Sequence, residues 1–370
     1  MAGRTGQYPL REKIRQSPPI DTDATYDAAW VKNKTIVITG GASGIGAGFF
    51  KHWAASGANV IIGDINVGKG DQLVQEVRKE TGNQDLHFIP CDVTDWQSQV
   101  NFFKEAVRRS THGGIDTVVA NAGIGYSEVT FERPGDLDAA EPAPPSLKVI
   151  DVNLTGVLYT THLALYYLAR NPNSVPASPS TNPAVTYRDR HLLLLGSMAS
   201  ICPISGQTLY GVAKHGILGL FRCLRSSSFA HGVRVNILCP YFIDTPLLHA
   251  EARAILAGGA GIGKIEDVVE AGTRFAADPR VVGRALVVGP KLKVAQNDVG
   301  EWSLVEKTGA AGGVDKAIWE VYADDFEDSD VFQRNMVRLL NATTELRGWT
   351  GWASDMVGAG CYAVKGWWSS

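Results

Sequence analysis

The sequence predicts an α/β protein: a doubly wound parallel sheet of about seven strands with helices on both faces. Short apolar runs rich in β-branched residues alternate with amphipathic helical stretches from residue 34 to residue 289. The first run closes on a glycine-rich turn, TGGASGIG (39–46). The second closes on an acidic residue, Asp64. Parallel neighbours need a crossover, usually a helix, so this alternation covers both sheet faces.

Each element has its own signal. Residues 1 to about 30 are polar and hold Pro9, Pro18 and Pro19, which reads as an irregular arm. KTIVITG (34–40) is a buried strand that ends in glycine, and 44–56 suit a helix. ANVIIGD (58–64) is the second strand, followed by a charged amphipathic helix over 67–80. LHFIPCD (86–92) is the third strand, 95–110 a helix, and DTVVANAG (116–123) the fourth strand. A long helix is expected over 146–170, then a fifth strand in HLLLLGS (191–197). The helix holding QTLYGVAKHGILG (207–219) follows. VRVNILC (233–239) is the sixth strand and RALVVG (284–289) the seventh.

Two segments break the rhythm. Residues 131–146 hold Pro134, Pro142, Pro144 and Pro145, and residues 171–190 hold Pro172, Pro176, Pro179 and Pro183. Both read as surface insertions, and mobility is expected of the second. After Pro290 come Trp302, Trp319, Trp349, Trp352, Trp367 and Trp368, six of the chain's nine tryptophans. A helix is expected around 314–341, with the aromatics docking this extension on the main domain or on a second subunit. The expected organisation is an arm (1–31), a main α/β domain (32–290) and a Trp-rich C-terminal extension (291–370).

Composition narrows the function. The 370 residues are 45% hydrophobic and 20% charged, as in globular proteins. A net charge of -3 gives no basic stripe for nucleic acid. The five cysteines, Cys91, Cys202, Cys223, Cys239 and Cys361, are widely spaced and contain no C-x-x-C pair. Neither a disulfide framework nor a metal site is expected, and a reducing, cytoplasmic setting is. Arg4, Arg11, Lys13 and Arg15 have no apolar run behind them, so no secretory signal is expected. No window reaches the roughly 18 apolar residues of a membrane helix.

The glycine turn carries the first chemistry. A dinucleotide pyrophosphate needs close backbone and a helix N-terminus, and Gly40, Gly44 and Gly46 between strand and helix offer both. Asp64 at the end of the second strand suits ribose hydroxyls and repels a 2′-phosphate, which favours NAD over NADP. GGAGIGK (258–264) imitates a phosphate loop, but Ile265 stands where Ser or Thr is required and no strand precedes it. It reads as a flexible hinge of a lid.

Tyr210 and Lys214 lie four residues apart and so share a helix face. A neighbouring ammonium is expected to lower the phenol pKa, which suits an acid/base exchanging a proton with an alcohol or carbonyl. Ser197 ends the fifth strand, on the side where the ligand crevice of such sheets opens.

Taken together, these residues resemble the short-chain dehydrogenase/reductase family over roughly 32–290, a Rossmann-type fold. T-G-x-x-x-G-x-G matches 39–46, D-V matches Asp92 and Val93, and N-A-G matches Asn121, Ala122 and Gly123. The active-site asparagine matches Asn153, the serine Ser197, and Y-x-x-x-K Tyr210 and Lys214. The resemblance implies a catalytic set of Asn153, Ser197, Tyr210 and Lys214. Asn153 would hold a proton-relay water, Ser197 would polarise the substrate oxygen and Tyr210 would be the acid/base. It implies a cofactor set of Gly40, Ser43, Gly44, Ile45, Gly46, Asp64, Asp92, Val93, Asn121, Tyr210, Lys214 and Thr245. Many relatives have Pro-Gly after the sixth strand, whereas here Pro240 is followed by Tyr241, which would narrow or re-aim the substrate cleft. CPYFIDTPLL (239–248) is similar to the branch containing 15-hydroxyprostaglandin dehydrogenase.

The segment from Pro240 to about Glu266 is expected to form the substrate loop, with Tyr241, Phe242, Ile243, Leu247, Leu248, Ile255 and Leu256 lining it beside Met198, Ile201 and Ile204. The expected reaction is NAD-dependent oxidation of a bulky, largely apolar secondary alcohol, or reduction of its ketone. A polyketide, terpenoid, steroid or oxidised lipid would fit. The alternatives are an NADPH-dependent ketone reductase, or a non-redox lyase, cyclase or NAD-sensing scaffold on the same fold. A homodimer or homotetramer through the helices flanking the fifth strand is implied by the resemblance.

Overall fold

The computed structural model describes residues 16–125, 131, 135–182, 188–227, 232–248, 253–254, 256, 261–297, 300–305 and 312–321, all within the compact unit Arg15–Ala323. The elements in chain order are β1 (Thr35–Thr39), α1 (Gly44–Ala55), β2 (Asn59–Asp64), α2 (Val67–Thr81), β3 (Leu86–Pro90), α3 (Trp96–Arg109) and β4 (Thr117–Ala120). They continue with α4 (Lys148–Ile150), a π-helical turn (Asp151–Thr155), α5 (Gly156–Leu168), β5 (His191–Leu195), α6 (Thr208–Ser227) and β6 (Arg234–Pro240). The last are α7 (Ile265–Ala277), β7 (Ala285–Gln296), β8 (Trp302–Leu304) and β9 (Val314–Glu320).

The sheet order is β3-β2-β1-β4-β5-β6-β7, every neighbouring pair parallel. β1 pairs with β2 on one side and with β4 on the other, so the winding reverses there. A crevice opens at the carboxyl ends of strands at such a switch point. Successive side chains of β1 point to opposite faces. Ile36 and Ile38 join the core built with Phe49, Phe50 and Trp53 of α1 and Phe275 of α7. Val37 joins the core built with Phe102 and Phe103 of α3, Leu168 of α5 and Phe221 of α6. Two strand-to-helix handovers are capped in sequence. Asn66 accepts the Lys69 N–H at the start of α2, and Asp95 accepts the Ser98 N–H at the start of α3.

Three structural findings differ from these expectations or add to them. Residues 314–320 are not helical: they form β9, which runs antiparallel on β7. β7 continues past Gly289 to Gln296, and its outer edge would otherwise leave backbone groups unpaired. Ala317 and Ile318 bury themselves in the same step. Residues 322–341 lie outside the described residues. The segment before β7 holds a helix, α7, beyond those expected from the sequence, although Glu266 and Asp267 lie in its first turn and Arg274 in its last. Its Gly272 admits the Phe49 ring, since a Cβ there would lie 2.2 Å from Phe49 Cε1. The third concerns the described part of the second insertion, which is tied down. Asn171 Nδ2 donates to Asp116 and to the Asp189 carbonyl, and Ala177 N–H donates to the Gly232 carbonyl at 2.9 Å.

The described arm is irregular apart from a 3-10 turn, Ala28–Val31, and it lies along the sheet's far edge. Ile20 N–H donates to Glu320 at 2.8 Å, and Lys316 donates to both Asp23 oxygens at 2.9 Å. Trp302 and Trp319 meet edge to face at 5.8 Å with the Lys316 ammonium near both rings. Trp349, Trp352, Trp367 and Trp368 lie outside the described residues.

At the amino ends of β1, β5 and β6 sits a buried ionic cluster. Asp189 accepts from Lys34 Nζ at 3.0 Å and from both the Nε and Nη2 of Arg234, at 3.0 and 2.7 Å. Its neighbour Asp116 receives Thr35 N–H, Asn171 Nδ2, Asp189 N–H and Arg188 Nη1. The cluster pins the return of the second insertion to the sheet.

Candidate active site

The turn between β1 and α1 is built on absent side chains. Gly40 has φ +66°, and a Cβ on it would lie 2.7 Å from Ala122 Cα. A Cβ on Gly46 would lie 2.3 Å from the Gly40 carbonyl oxygen and 2.7 Å from Asn121 Nδ2. Asn121 in turn donates to the carbonyls of Thr39 and Gly40 at 3.0 and 2.9 Å. The turn thus lies directly on the end of β4. Asp64 braces it from β2, with Oδ2 accepting the Ala42 N–H at 3.1 Å and Oδ1 the Asn66 N–H at 3.0 Å. Ser43 stands at the N-cap of α1 and makes no side-chain capping bond, so the first turn keeps its positive end for another acceptor.

Gly46→Ala is therefore expected to weaken dinucleotide binding by about tenfold or more, because the clash is with backbone and cannot be relieved by a rotamer. A fluorescence titration with the dinucleotide checks this, with thermal melting to confirm the fold.

Asp92 and Val93 follow β3. Asp92 Oδ1 accepts the N–H and hydroxyl of Thr94 at 2.9 and 2.7 Å. Val93 is buried against Gly156, where a Cβ would lie 2.9 Å from Val93 Cγ2. Thr245 crosses over the glycine turn, 3.6 Å from where a Cβ on Gly44 would stand.

Ser197 lies two residues past β5 and caps a 3-10 turn, Met198–Ser200. Its Oγ accepts the Ala199 N–H, and its own N–H donates to Ser200 Oγ, both at 3.1 Å. Tyr210 and Ser197 line the same cleft, and the Ser197 side chain acts on the phenol in the direction that favours its ionised form. Lys214, one turn further along α6, donates from Nζ to the Leu195 carbonyl at 2.9 Å, and that nitrogen lies 5.7 Å from the centre of the Tyr210 ring. The three side chains converge as their spacing implied, but the expected electrostatics do not hold. Burial raises the Tyr210 pKa above its ordinary value, and the polar Ser197 side chain offsets this only in part. Burial also lowers Lys214, to about 8. The ammonium is spent on a backbone carbonyl and is itself poorly solvated, so it does not pull the phenol below its ordinary value.

These groups share one cleft of about 1060 Å³. Gly40, Ser43, Gly44, Ile45, Asp64, Asp92, Val93, Asn121, Ser197, Tyr210, Lys214 and Thr245 all line it. Gly46 and Asn153 stand behind its wall. Asn153 is fully buried in the π-helical turn, where Oδ1 accepts the Ile124 N–H at 2.8 Å and Nδ2 donates to the Ile124 carbonyl at 2.7 Å. Its side chain therefore fixes the strand extension past Gly123.

On the substrate side, Met198, Ile204, Tyr241, Phe242, Ile243, Leu247 and Leu248 line the cleft as expected. Ile201 and Leu256 do not, and Ile255 lies outside the described residues. Lys148, Asp151, Tyr159 and Gln207 also line it. No motif marks the first three; Gln207 is signalled only by its place at the head of the helix, three residues before Tyr210. Of the apparent phosphate loop, Gly263 bridges Ile243 in parallel and Lys264 precedes α7, while residues 258–260 lie outside the described residues.

The site suits a nicotinamide dinucleotide. Its glycine cradle would be filled by any Cβ at Gly40 or Gly46, α1 presents an open N-terminus, and each Asp64 oxygen has acceptor capacity beyond the one backbone bond it receives.

Comparison with known proteins agrees. A family model described as enoyl-(acyl carrier protein) reductase matches residues 40–260. The chain is 36% identical over 282 residues to 5'-hydroxyaverantin dehydrogenase of Dothistroma septosporum, covering 73% of this chain and 88% of that one. It is 30% identical over 284 residues to NADP-dependent dehydrogenase M3 of a Phoma species, covering 74% and 79%. It is 29% identical over 220 residues to the bovine NAD(+) 15-hydroxyprostaglandin dehydrogenase, covering 59% and 71%. Among solved structures, a short-chain type dehydrogenase/reductase from Mycobacterium marinum superposes with a TM-score of 0.59 at 21% identity, over 71% of this chain and 96% of that one.

Proposed function

The chain belongs to the short-chain dehydrogenase/reductase family, and from that premise we propose that it oxidises a secondary alcohol on a bulky, largely apolar small molecule, or reduces the matching ketone, with NAD. The observation that carries this reading is the convergence of Ser197, Tyr210 and Lys214 at the cleft wall. The names of the relatives, two of them dehydrogenases of hydroxy compounds, support the alcohol-to-ketone direction of chemistry.

When bound, the nicotinamide supplies the hydride acceptor for oxidation. The chain supplies the proton path. The Ser197 hydroxyl holds the substrate oxygen beside the Tyr210 phenol. As phenolate, Tyr210 Oη takes the alcohol proton; as phenol, it returns one to a carbonyl. Lys214 stands one turn behind it, where it would hold the cofactor ribose. Gly40, Ser43, Gly44 and Ile45 would hold the pyrophosphate, with Gly46 keeping the turn close behind them; Asp92 and Val93 would flank the adenine, Asn121 would lie beside the cofactor, and Thr245 would meet the carboxamide. Asn153 orients the wall on which this rests. Oxidation uses the deprotonated phenol, so turnover in that direction rises with pH.

Asp64 supports NAD over NADP, since its carboxylate would face a 2′-phosphate with like charge. The NADP-dependent relative sustains the second reading, a ketone reductase using NADPH. Asp64→Ala is expected to shift the NAD:NADP ratio of kcat/KM toward NADP by about tenfold or more. Parallel assays of wild type and variant with both cofactors test it; a wild type that prefers NADP would favour the second reading. No helix among the described residues is long and apolar enough to cross a membrane. A cytoplasmic setting fits the widely spaced cysteines. Exposed Leu158 and Tyr166 on α5 and Val212 on α6 support a homodimer or homotetramer through those helices. The arm 1–31, the core domain 32–290 and the extension 291–370 remain the proposed organisation, with β9 of the extension completing the sheet edge.

A further inference from the structure

Tyr241 and Phe242 stand directly after β6, where the chain turns into the substrate side of the cleft. Both rings line the cleft and both are half-buried. They meet each other edge to face, with centroids 4.8 Å apart and planes at 84°. Such a pair holds each ring in place and leaves aromatic surface for a third ring, stacked on one and edge-on to the other.

The backbone beneath the rings is fixed. Tyr241 N–H donates to the Val288 carbonyl at 2.8 Å, so the chain is still sheet-like at the first ring. Gly263 N–H donates to the Phe242 carbonyl at 2.8 Å, and Asp244 N–H donates to the Gly263 carbonyl at 3.0 Å. Ile243 bridges Gly263 between these bonds and is itself buried. Gly263 can approach only because it is glycine: a Cβ there would lie 2.6 Å from Ile243 Cδ1 and 3.2 Å from the Gly289 carbonyl carbon. The glycine-rich GGAGIGK stretch, which lacks the residues of a phosphate loop, thus ends in a strap. It ties the aromatic segment to the edge of β7 and to the start of α7.

Met198 and Ile204 line the cleft from the turn after Ser197, and Leu247 from the segment beyond Thr245. Leu247 Cδ1 lies 3.3 Å from where a Cβ on Gly125 would stand, so this residue comes down onto the loop after β4. Met198, Ile204, Leu247 and Leu248 are aliphatic, Tyr159 and Gln207 also line the cleft, and Tyr241 and Phe242 are the two consecutive aromatic residues, set on a braced backbone.

We propose that Tyr241 and Phe242 form a preformed aromatic wall that selects secondary alcohols, or their ketones, whose carbinol carbon is attached to a flat aromatic ring system. This rests on the alcohol–ketone reading given above and names its substrate class. A rigid wall loses little conformational freedom on binding a flat ring, whereas a flexible alkyl chain must be ordered against it. Tyr241 is the specificity-determining member, because it fills the first position after Pro240 with a ring where glycine would leave a gap.

The test uses two matched ligand pairs and the full-length protein. One pair is 1-(2-naphthyl)ethanol and its saturated decalinyl analogue, assayed for turnover with NAD and with NADP. The other is the two corresponding methyl ketones, whose binding to the protein–dinucleotide complex is followed by calorimetry. Wild type is expected to favour the aromatic member of each pair by about tenfold. Tyr241→Leu and Phe242→Leu are expected each to reduce that ratio at least threefold, while Tyr241→Phe, which keeps the ring, restores it. Equal binding of the aromatic and saturated ketones to wild type overturns the proposal. So does an aromatic preference that survives in both leucine variants. An aromatic binding preference that is lost in the leucine variants, with no turnover of any alcohol by wild type, upholds the wall and overturns the redox reading instead.

Discussion

Tyr210→Phe is expected to lower kcat for alcohol oxidation by about 10²–10⁴-fold, the usual range for loss of a positioned acid/base. The substitution removes one oxygen and little else. The ring still packs near the Lys214 ammonium, whose bond to the Leu195 carbonyl does not involve the phenol. Ser197 keeps its bonds to Ala199 and Ser200. The dinucleotide should bind with nearly unchanged affinity, because the glycine turn, Asp64 and Lys214 are untouched by the substitution. A large fall in kcat with a small change in dinucleotide Kd identifies an acid/base. Equal losses in both would identify a structural residue. Wild-type oxidation should rise with pH, since burial holds the Tyr210 phenol above its ordinary value and the reactive form is the phenolate. The residual rate of the variant should lose that dependence.

Asp189→Asn is expected to destabilise the fold by about 3–5 kcal/mol, the cost of leaving buried charge without its partner. Lys34, Arg234 and Asp189 are all nearly inaccessible to solvent. Burial alone would raise the Asp189 carboxyl pKa, but Arg234 and Lys34 outweigh it and hold the group well below the usual carboxylate range. The sign follows from that depression. The contribution is complete above the unfolded carboxylate value and is lost as pH falls below it toward the depressed folded value. Urea melts of wild type and variant near neutral pH check the magnitude. The gap between them should narrow as the solution is acidified below pH ~4, where the unfolded aspartate begins to protonate. His191, buried beside the same cations, is pushed well below its ordinary pKa by burial and by Arg234, so it stays neutral and does not compete for Asp189.

The catalytic centre was largely legible because it is local. Tyr210 and Lys214 need only helical periodicity to share a face, and the glycine turn needs only a strand before it and a helix after it. Strand and helix signals came from runs of four or more like residues, which survive any tertiary context. What stayed hidden depends on partners distant in sequence. β9 is a strand because β7 runs on past Gly289 and offers it an edge; Val314–Glu320 alone carries a pattern that either period can claim. α7 was obscured by the glycines before it, and its role is set by Phe49 some 220 residues away. The fall of Lys214 to about 8 and the rise of Tyr210 come from burial, which spacing does not encode. Asn153 was read from its motif as the holder of a water; that its side-chain amide bonds Ile124 is a separate contact that only the fold brings about. The meaning of Gly263 likewise appears only once Ile243 lies against it.

The most direct test of the central claim follows the hydride. Wild-type protein would be given a secondary alcohol carrying deuterium on its carbinol carbon, together with NAD, and the recovered nicotinamide examined by mass spectrometry. A secondary-alcohol dehydrogenase transfers the label to the cofactor, one deuterium for each ketone formed, and Tyr210→Phe transfers almost none. A product formed with no label in the cofactor, or with the label released to solvent, would contradict the redox assignment and place the Ser197, Tyr210 and Lys214 set in a non-redox reaction.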